Sequence, residues 1–397
     1  MTMADLGPNI EPERIVWLID GNKEFDSTVA LCSRQLAPML YRVWPKVDQV
    51  LVTNTKGVSE FPGRTYCVKV PDGLKKWFRE REIFVAALLN NVVQNADIVI
   101  TTDMGFVLMT YVMDGAVQML RTQGDMLRLK PIVFVSPKLP EAGFQDFVAG
   151  HGDDMFWYLI ANKPNAWLAV LDNLHEEEYA VKELLKRQPT ARAEKVLPRI
   201  VTYRFDGFKD GGVEKEDVVV WQGRNNTGKR PDLAAEVFAL LAGKGIQCEM
   251  YIPTAGGGRT GYPEIAKESG FCRVFTNLDQ NLYQQAICRA KAGVITSESE
   301  SLSVGTLEQM ERGVVPVIRR RKWNRGFVTE RWPLVWTNTA EAAAMCEDVL
   351  QNYADYRKLL EECMRERYSA EPNFDRLMQK VWNDFAVSYY REFSLEK

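Results

Sequence analysis

The stretch Asp217-Val-Val-Val-Trp-Gln-Gly-Arg-Asn-Asn-Thr-Gly-Lys-Arg-Pro231 decides the fold. Three consecutive valines and a tryptophan read as a strand buried on both faces, the pattern of a parallel sheet. The loop that follows is rich in glycine and asparagine, and Pro231 suits the first turn of a helix. Strand, glycine loop and helix N-terminus in that order make half of a βαβ unit. They place Arg224, Lys229 and Arg230 beside free backbone N–H groups and a dipole that attracts anions.

The same rhythm extends in both directions. Apolar runs at Ile15–Ile19, Gln49–Thr53, Ile98–Thr102, Ile132–Val135 and Ala166–Leu171 read as strands. Between them, Ser27–Leu40, Trp77–Val93, Val107–Leu120 and Glu176–Lys186 read as helices. The segment Arg187–Gly212, with Pro189, Pro198 and a closing Asp-Gly-Gly, interrupts the alternation and reads as a linker. A second series then runs through strands at Asp217–Trp221, Gln247–Ile252, Arg273–Phe275, Gly293–Thr296, Val314–Ile318 and Leu334–Trp336. Its helices fit Pro231–Ala242, Asn281–Lys291, Val304–Glu311 and Thr339–Gln351, and a helical tail from Tyr353 breaks near Glu371-Pro372. The fold class is therefore α/β, two doubly wound domains whose strand ends face one cleft. The expected divisions are an N-terminal domain over 1–200, a second domain over 201–375, and a C-terminal helix over 376–397 returning to the first.

Composition narrows the function classes. The 397 residues carry 50 Lys and Arg against 53 Asp and Glu, a net charge of −3, which argues against a surface coated for nucleic acid. Seven dispersed cysteines with no Cys-x-x-Cys pair, and two histidines, point to a reducing compartment and away from zinc or histidine catalysis. No apolar run approaches the roughly 20 residues of a membrane helix. The polar, acidic opening Met1–Pro12 lacks the order of a secretion signal, so the expectation is a cytoplasmic protein with no transmembrane association.

Three readings of Gly223–Arg230 compete. As a phosphate-binding P-loop, Gly223-x4-Gly228-Lys229 fits, but the next position should hold magnesium through Ser or Thr and is Arg230. As a diphosphate clamp, Gly-Arg-x4-Lys, the cations do the work of a metal. As a solvated basic turn, it does nothing. A second segment, Ser297-Glu-Ser-Glu-Ser-Leu-Ser-Val-Gly-Thr-Leu-Glu-Gln-Met-Glu-Arg-Gly-Val-Val-Pro-Val-Ile318, puts Glu300 on a loop and Glu308 in a helix eight residues on. Ionised carboxylates accept hydrogen bonds from sugar or ribose hydroxyls, although acidic residues near a helix start are also common caps.

Together the two segments resemble the donor site of family four of the retaining glycosyltransferases, which has the GT-B fold. Gly223, Arg224 and Lys229 match the family's Gly-Arg-x4-Lys; Glu300-x7-Glu308, Gly313 and Pro316-Val317-Ile318 match its second motif. The resemblance covers about 217–350 closely and the first half in general order alone. It implies that Arg224 and Lys229 neutralise the diphosphate of a nucleotide sugar, UDP-sugars first among them. Glu308 would hold the ribose and Glu300 the sugar, while Val304, Gly305, Thr306 and Leu307 would present backbone to phosphate. Gly21, in Asp20-Gly21-Asn22, stands where the family has a Gly-Gly loop. The chain contains no Asp-x-Asp motif, so the expectation is a metal-independent reaction with no cofactor beyond the donor. The family's histidine at the reaction centre has no match after Ile132–Val135; His151 lies nearby without a motif.

One run departs from the family. Arg319, Arg320, Arg321, Lys322, Trp323 and Arg325 read as a basic patch with one aromatic, suited to a polyanionic acceptor. Bacteriophage enzymes that transfer glucose from UDP-glucose to hydroxymethylated DNA bases share the fold, so DNA is the alternative acceptor to a carbohydrate or small hydroxyl compound. A sugar-nucleotide epimerase and an inactive nucleotide-sugar binding protein are the further alternatives. Gly256–Gly261 contains a GxGxxG after the second strand of its domain and reads as a loop rather than a dinucleotide site.

Overall fold

The computed structural model describes residues 11–19, 31–53, 60–70, 92–93, 95–102, 131–136, 152–163, 165–171, 174–252, 260–276, 278, 280–298, 300, 303–321 and 323–394. The chain divides into two compact units. One comprises Met1–Asp172, Glu176–Thr202 and Pro372–Lys397; the other comprises Asn173–His175 and Tyr203–Glu371. Residues 77–91 of the helix expected over Trp77–Val93, all of that expected over Val107–Leu120, Gly21 and His151 lie outside the described residues; Val92 and Val93 are helical.

The first unit holds six parallel strands: β1 Arg14–Ile19, β2 Asp48–Thr53, β3 Arg64–Cys67, β4 Ile98–Thr101, β5 Ile132–Ser136 and β6 Ala166–Val170. Their order is β3-β2-β1-β4-β5-β6. Ile15, Val16, Trp17, Leu18 and Ile19 are all fully buried, as a central parallel strand covered on both faces requires. The Trp17 indole donates to Gln49 Oε1 at 3.0 Å, and the Gln49 amide donates to the Ala37 carbonyl at 2.9 Å, so this buried polar pair is satisfied. Strand β3 has no counterpart in the sequence reading. Its four residues are exposed on the sheet edge, so it carries no apolar face to announce it. The helix Phe374–Ser394 belongs to this unit, and Phe374 packs on Trp17 at 5.9 Å between ring centres. Asn373 fixes its entry, accepting from Val201 N at 2.8 Å and donating to the Arg199 carbonyl at 3.0 Å.

The second unit repeats the plan: β7 Glu216–Gln222, β8 Gln247–Ile252, β9 Arg273–Thr276, β10 Ala290–Ile295, β11 Val315–Arg319 and β12 Val335–Trp336, all parallel. The order β12-β11-β10-β7-β8-β9 is the same doubly wound arrangement, with its reversal between β7 and β10. Helices Pro231–Ala242, Tyr262–Glu268, Gln280–Arg289, Val304–Glu311, Thr339–Gln351 and Tyr353–Arg367 accompany it. The helix expected over Asn281–Lys291 stops at Arg289, because Ala290 already enters the sheet opposite Glu216. Among the described residues three α-helices went unread, Gly152–Asn162, Tyr262–Glu268 and the single turn Asn324–Phe327.

The helix Thr339–Gln351 starts on a reciprocal cap. Glu341 N donates to Asn338 Oδ1 at 3.0 Å, and Thr337 N donates to Glu341 Oε2 at 2.8 Å. Replacing Asn338 by Ala is expected to lower stability by about 1 kcal/mol in urea unfolding, because it removes one partner of an otherwise orphaned N–H.

Candidate functional site

In a doubly wound sheet, ligands bind beyond the carboxyl ends of the strands where the order reverses. In the second unit those ends are Gln222 of β7 and Ile295 of β10, and each leads directly into one of the two motif segments. The segments are fastened to each other. Glu298 N donates to the Gly228 carbonyl at 3.0 Å, and Thr296 Oγ1 donates to the Lys229 carbonyl at 2.6 Å. Beneath them the indole of Trp221, 1% exposed, donates to Thr296 Oγ1 at 2.8 Å.

The first loop is shaped by its own side chains. Gly223 N donates to the Tyr251 carbonyl at 3.2 Å. A Cβ at Gly223 would stand 2.9 Å from the Trp221 ring, which is why glycine occupies the position. Asn226 Oδ1 accepts from Lys229 N at 3.0 Å and closes the single turn Thr227–Lys229. Three hydrogen bonds join Asn225 and Thr260: the Asn225 amide donates to the Thr260 carbonyl at 3.0 Å, and Asn225 Oδ1 accepts from Thr260 N at 3.2 Å and from Thr260 Oγ1 at 2.5 Å. Arg230 then adopts the left-handed conformation at φ 53°, the one non-glycine to do so among the described residues. It is held there by Asp232, to which its guanidinium donates at 2.6–3.0 Å. That geometry gives Arg230 a structural task and leaves no magnesium ligand at the position a P-loop would need.

The two motifs meet at an ion pair. Lys229 Nζ donates to Glu300 Oε1, with side chains 22% and 10% exposed. Arg224 is exposed, and among the described residues no carboxylate pairs with it. Glu308 projects from the second turn of Val304–Glu311. Its Oε2 accepts from Tyr283 OH at 3.2 Å and from Gln222 Nε2 at 3.5 Å, and Gln222 Oε1 accepts from Gln309 Nε2 at 3.2 Å. Burial, then the neighbouring Glu308 carboxylate, pushes the Tyr283 phenol well above its ordinary range, so it remains a donor at neutral pH.

At the start of the same helix, Val304 is exposed and Thr306 Oγ1 meets Ser303 Oγ at 2.8 Å. Leu307 is buried in the core, and its N–H closes the first turn on the Ser303 carbonyl at 2.9 Å. The expectation that Leu307 offers its N–H to phosphate is therefore corrected. The groups that helix geometry leaves open are those of Val304, Gly305 and Thr306.

The basic run is also corrected. Trp323 is 2% exposed, stands edge-on to Phe327 at 5.7 Å, and points its indole N–H at the Ser297 carbonyl 3.4 Å away. It cannot stack a base or sugar from solvent. Arg319 and Arg321 donate to Glu298 at 2.5 and 2.8 Å, and Arg230 joins them at 2.6 Å. Arg320 is exposed; Lys322 and the Arg325 side chain lie outside the described residues. Of the run on which the DNA reading rested, Arg319, Arg321 and Trp323 are thus engaged within the chain, the two arginines in a part-exposed charge network around Glu298.

Burial alone would raise the Glu298 carboxyl, but hydrogen bonds from Arg319 and Arg230 outweigh it and hold the group at about 2, against an ordinary 4.5. A lowered folded value means stability that is complete above 4.5 and lost as pH falls toward 2. The thermal midpoint of the parent chain should exceed that of Glu298→Gln at neutral pH, and the gap should close between pH 4.5 and 2.

Among solved structures, the chain superposes on HepE of Anabaena, solved with UDP and glucose, at a TM-score of 0.63 over 94% of this chain and 99% of that one, with 10% identity. A glycosyltransferase from Rickettsia africae gives a TM-score of 0.63 over 95% and 99%, also at 10% identity. The fold is GT-B. TarM of S. aureus matches this GT-B chain at a TM-score of 0.52 and 17% identity over 77% of its residues, which span 58% of TarM. No protein-family profile and no curated protein sequence matches the chain. Gln222, Tyr283 and Glu298 escaped the sequence reading. The one available signal was Gln222, a polar residue closing an apolar strand immediately before the glycine.

Proposed function

We propose that this GT-B chain is a retaining, metal-independent glycosyltransferase that moves a sugar from a nucleoside-diphosphate sugar, UDP-linked in the first instance, to an acceptor hydroxyl. The observation that carries the reading is the Lys229–Glu300 pair, which joins the two motifs at the strand-order reversal of the second unit. HepE, with its bound UDP and glucose, supplies the choice of nucleotide to test first.

In this reading Arg224 and Lys229 face the diphosphate. An ammonium has three donors, so Lys229 can keep Glu300 and still reach a phosphate oxygen. Negative charge grows on the diphosphate as the bond to the sugar breaks. Cations and the open N–H groups at Val304, Gly305 and Thr306 oppose that charge more strongly in the transition state than before it, and this difference is what accelerates transfer. Glu300 and Glu308 bind hydroxyls of the sugar and ribose. They are not the acid and nucleophile of a hydrolase, a role that would demand a different arrangement about the scissile bond.

The test is a thermal-shift panel of UDP, GDP, ADP and their hexose conjugates, followed by transfer of labelled sugar with and without EDTA. One nucleotide series should raise the midpoint, since a ligand that binds only the folded state stabilises it. Transfer should persist in EDTA. A flat panel overturns the reading.

A further inference from the structure

We infer that Tyr283 and Gln222 are positioning residues that aim the Glu308 carboxylate, and that through it they make the site select a ribose over a deoxyribose. The inference rests on the donor-site reading above and adds to it the device that sets sugar selectivity.

The geometry is asymmetric. Both protein donors, the Tyr283 phenol at 3.2 Å and the Gln222 amide at 3.5 Å, converge on Oε2 of Glu308. Among the described residues, none donates to Oε1. Two donors on one oxygen fix the plane of the carboxylate and leave the lone pairs of the other for a ligand hydroxyl. The donors are themselves held. Tyr283 stands edge-on to Tyr251 at 6.1 Å, and Tyr251 stacks on Phe275 at 5.2 Å. Gln222 receives the Gln309 amide at 3.2 Å.

Gly305 completes the device. A Cβ there would lie 2.8 Å from Gln222 Nε2 and 2.9 Å from the amide carbon. Any larger residue at 305 must displace the Gln222 amide, so the glycine keeps open the space from which Gln222 reaches Glu308. These three residues come from the end of β7, the helix Gln280–Arg289 and the first turn of Val304–Glu311. The convergence of Tyr283 and Gln222 on one carboxylate oxygen has no need in packing alone, since burial of Glu308 is incomplete.

The experiment compares nucleotide affinities by calorimetry for the parent chain, Tyr283→Phe and Gln222→Leu, each of which removes one donor to Glu308 Oε2. The probes are the nucleoside diphosphate that binds the parent best and its 2′-deoxy and 3′-deoxy forms. The parent should prefer the ribose form by about tenfold or more over at least one deoxy form, the value of a charge-assisted hydrogen bond. Both variants should bring that ratio to within about threefold, while affinity for the deoxy form stays near the parent's. A merely structural role would weaken all forms equally and leave the ratio unchanged, which overturns the inference. So does a parent chain that binds ribose and deoxyribose forms alike. Gln222→Leu keeps the test open if Tyr283→Phe does not fold, because it removes the other donor to Glu308 Oε2 and leaves Tyr283 in place. Failure of every nucleoside diphosphate to bind the parent is a different result: it removes the donor-site reading and this inference with it.

Discussion

Lys229→Ala is expected to unfold more easily and to transfer sugar at least about a hundredfold more slowly than the parent chain. The two effects have separate causes. Removing the ammonium takes from Glu300, whose side chain is 10% exposed, the lysine charge that opposes it in a sheltered place. Breaking a buried pair from one side typically costs about 3–5 kcal/mol, and the lower end applies because the Lys229 side chain is 22% exposed. The kinetic loss comes from withdrawing a preplaced charge from the departing diphosphate, an effect of about 10²–10³ for single donors of this kind. The double variant Lys229→Ala/Glu300→Gln separates them. It should recover most of the lost stability in urea unfolding, since the sheltered negative charge is removed together with the lysine, yet remain as slow in transfer. Recovery of transfer along with stability would show that Lys229 is only a structural partner.

Trp221→Ala should lower stability by about 3–5 kcal/mol, the range for emptying a fully buried tryptophan site. Its functional consequence is distinctive because the indole is the floor of both motif loops. It donates to Thr296 Oγ1, Thr296 donates to the Lys229 carbonyl, and its ring limits position 223 to glycine. Trp221→Phe keeps most of the apolar contact and loses the donor, so about 1–2 kcal/mol is expected. Nucleotide affinity should weaken in both variants in the same order as stability. Unfolding curves and nucleotide titrations of the two variants check this; an unchanged affinity in Trp221→Ala would show that the loops hold their shape without the indole.

Much of the fold was legible because parallel strands buried on both faces have near-continuous apolar text, as Ile15–Ile19 and Val218–Trp221 do. The exposed Arg64–Cys67 has no such text; pairing with β2 alone makes it a strand. At Cys288-Arg-Ala-Lys-Ala292 the residues suit a helix, and the sheet overrides that preference from Ala290 on. In the site, the spacing of Lys229 and Glu300 was visible and their contact was not, since 71 residues separate them. The arginines at 319 and 321 misled for the same reason. Local text reads them as a solvated face, whereas the carboxylate that gathers them, Glu298, lies on a different loop and also recruits Arg230. Tyr283 carried no signal at all, because its relation to Glu308 exists only once the helix Gln280–Arg289 is docked.

The placement of Pro372–Lys397 with the first sheet fixes an order of events during synthesis. Residues 203–371 are available to fold as soon as they leave the ribosome. The earlier half must wait, with the Trp17 face uncovered, until Phe374 emerges behind the whole of the later half. Domains usually mature from the N-terminus onward as translation proceeds. Here the helix Phe374–Ser394 closes a core whose strands precede residue 203, so a nascent chain stalled before residue 372 would expose apolar surface to chaperones while residues 203–371 were already folded.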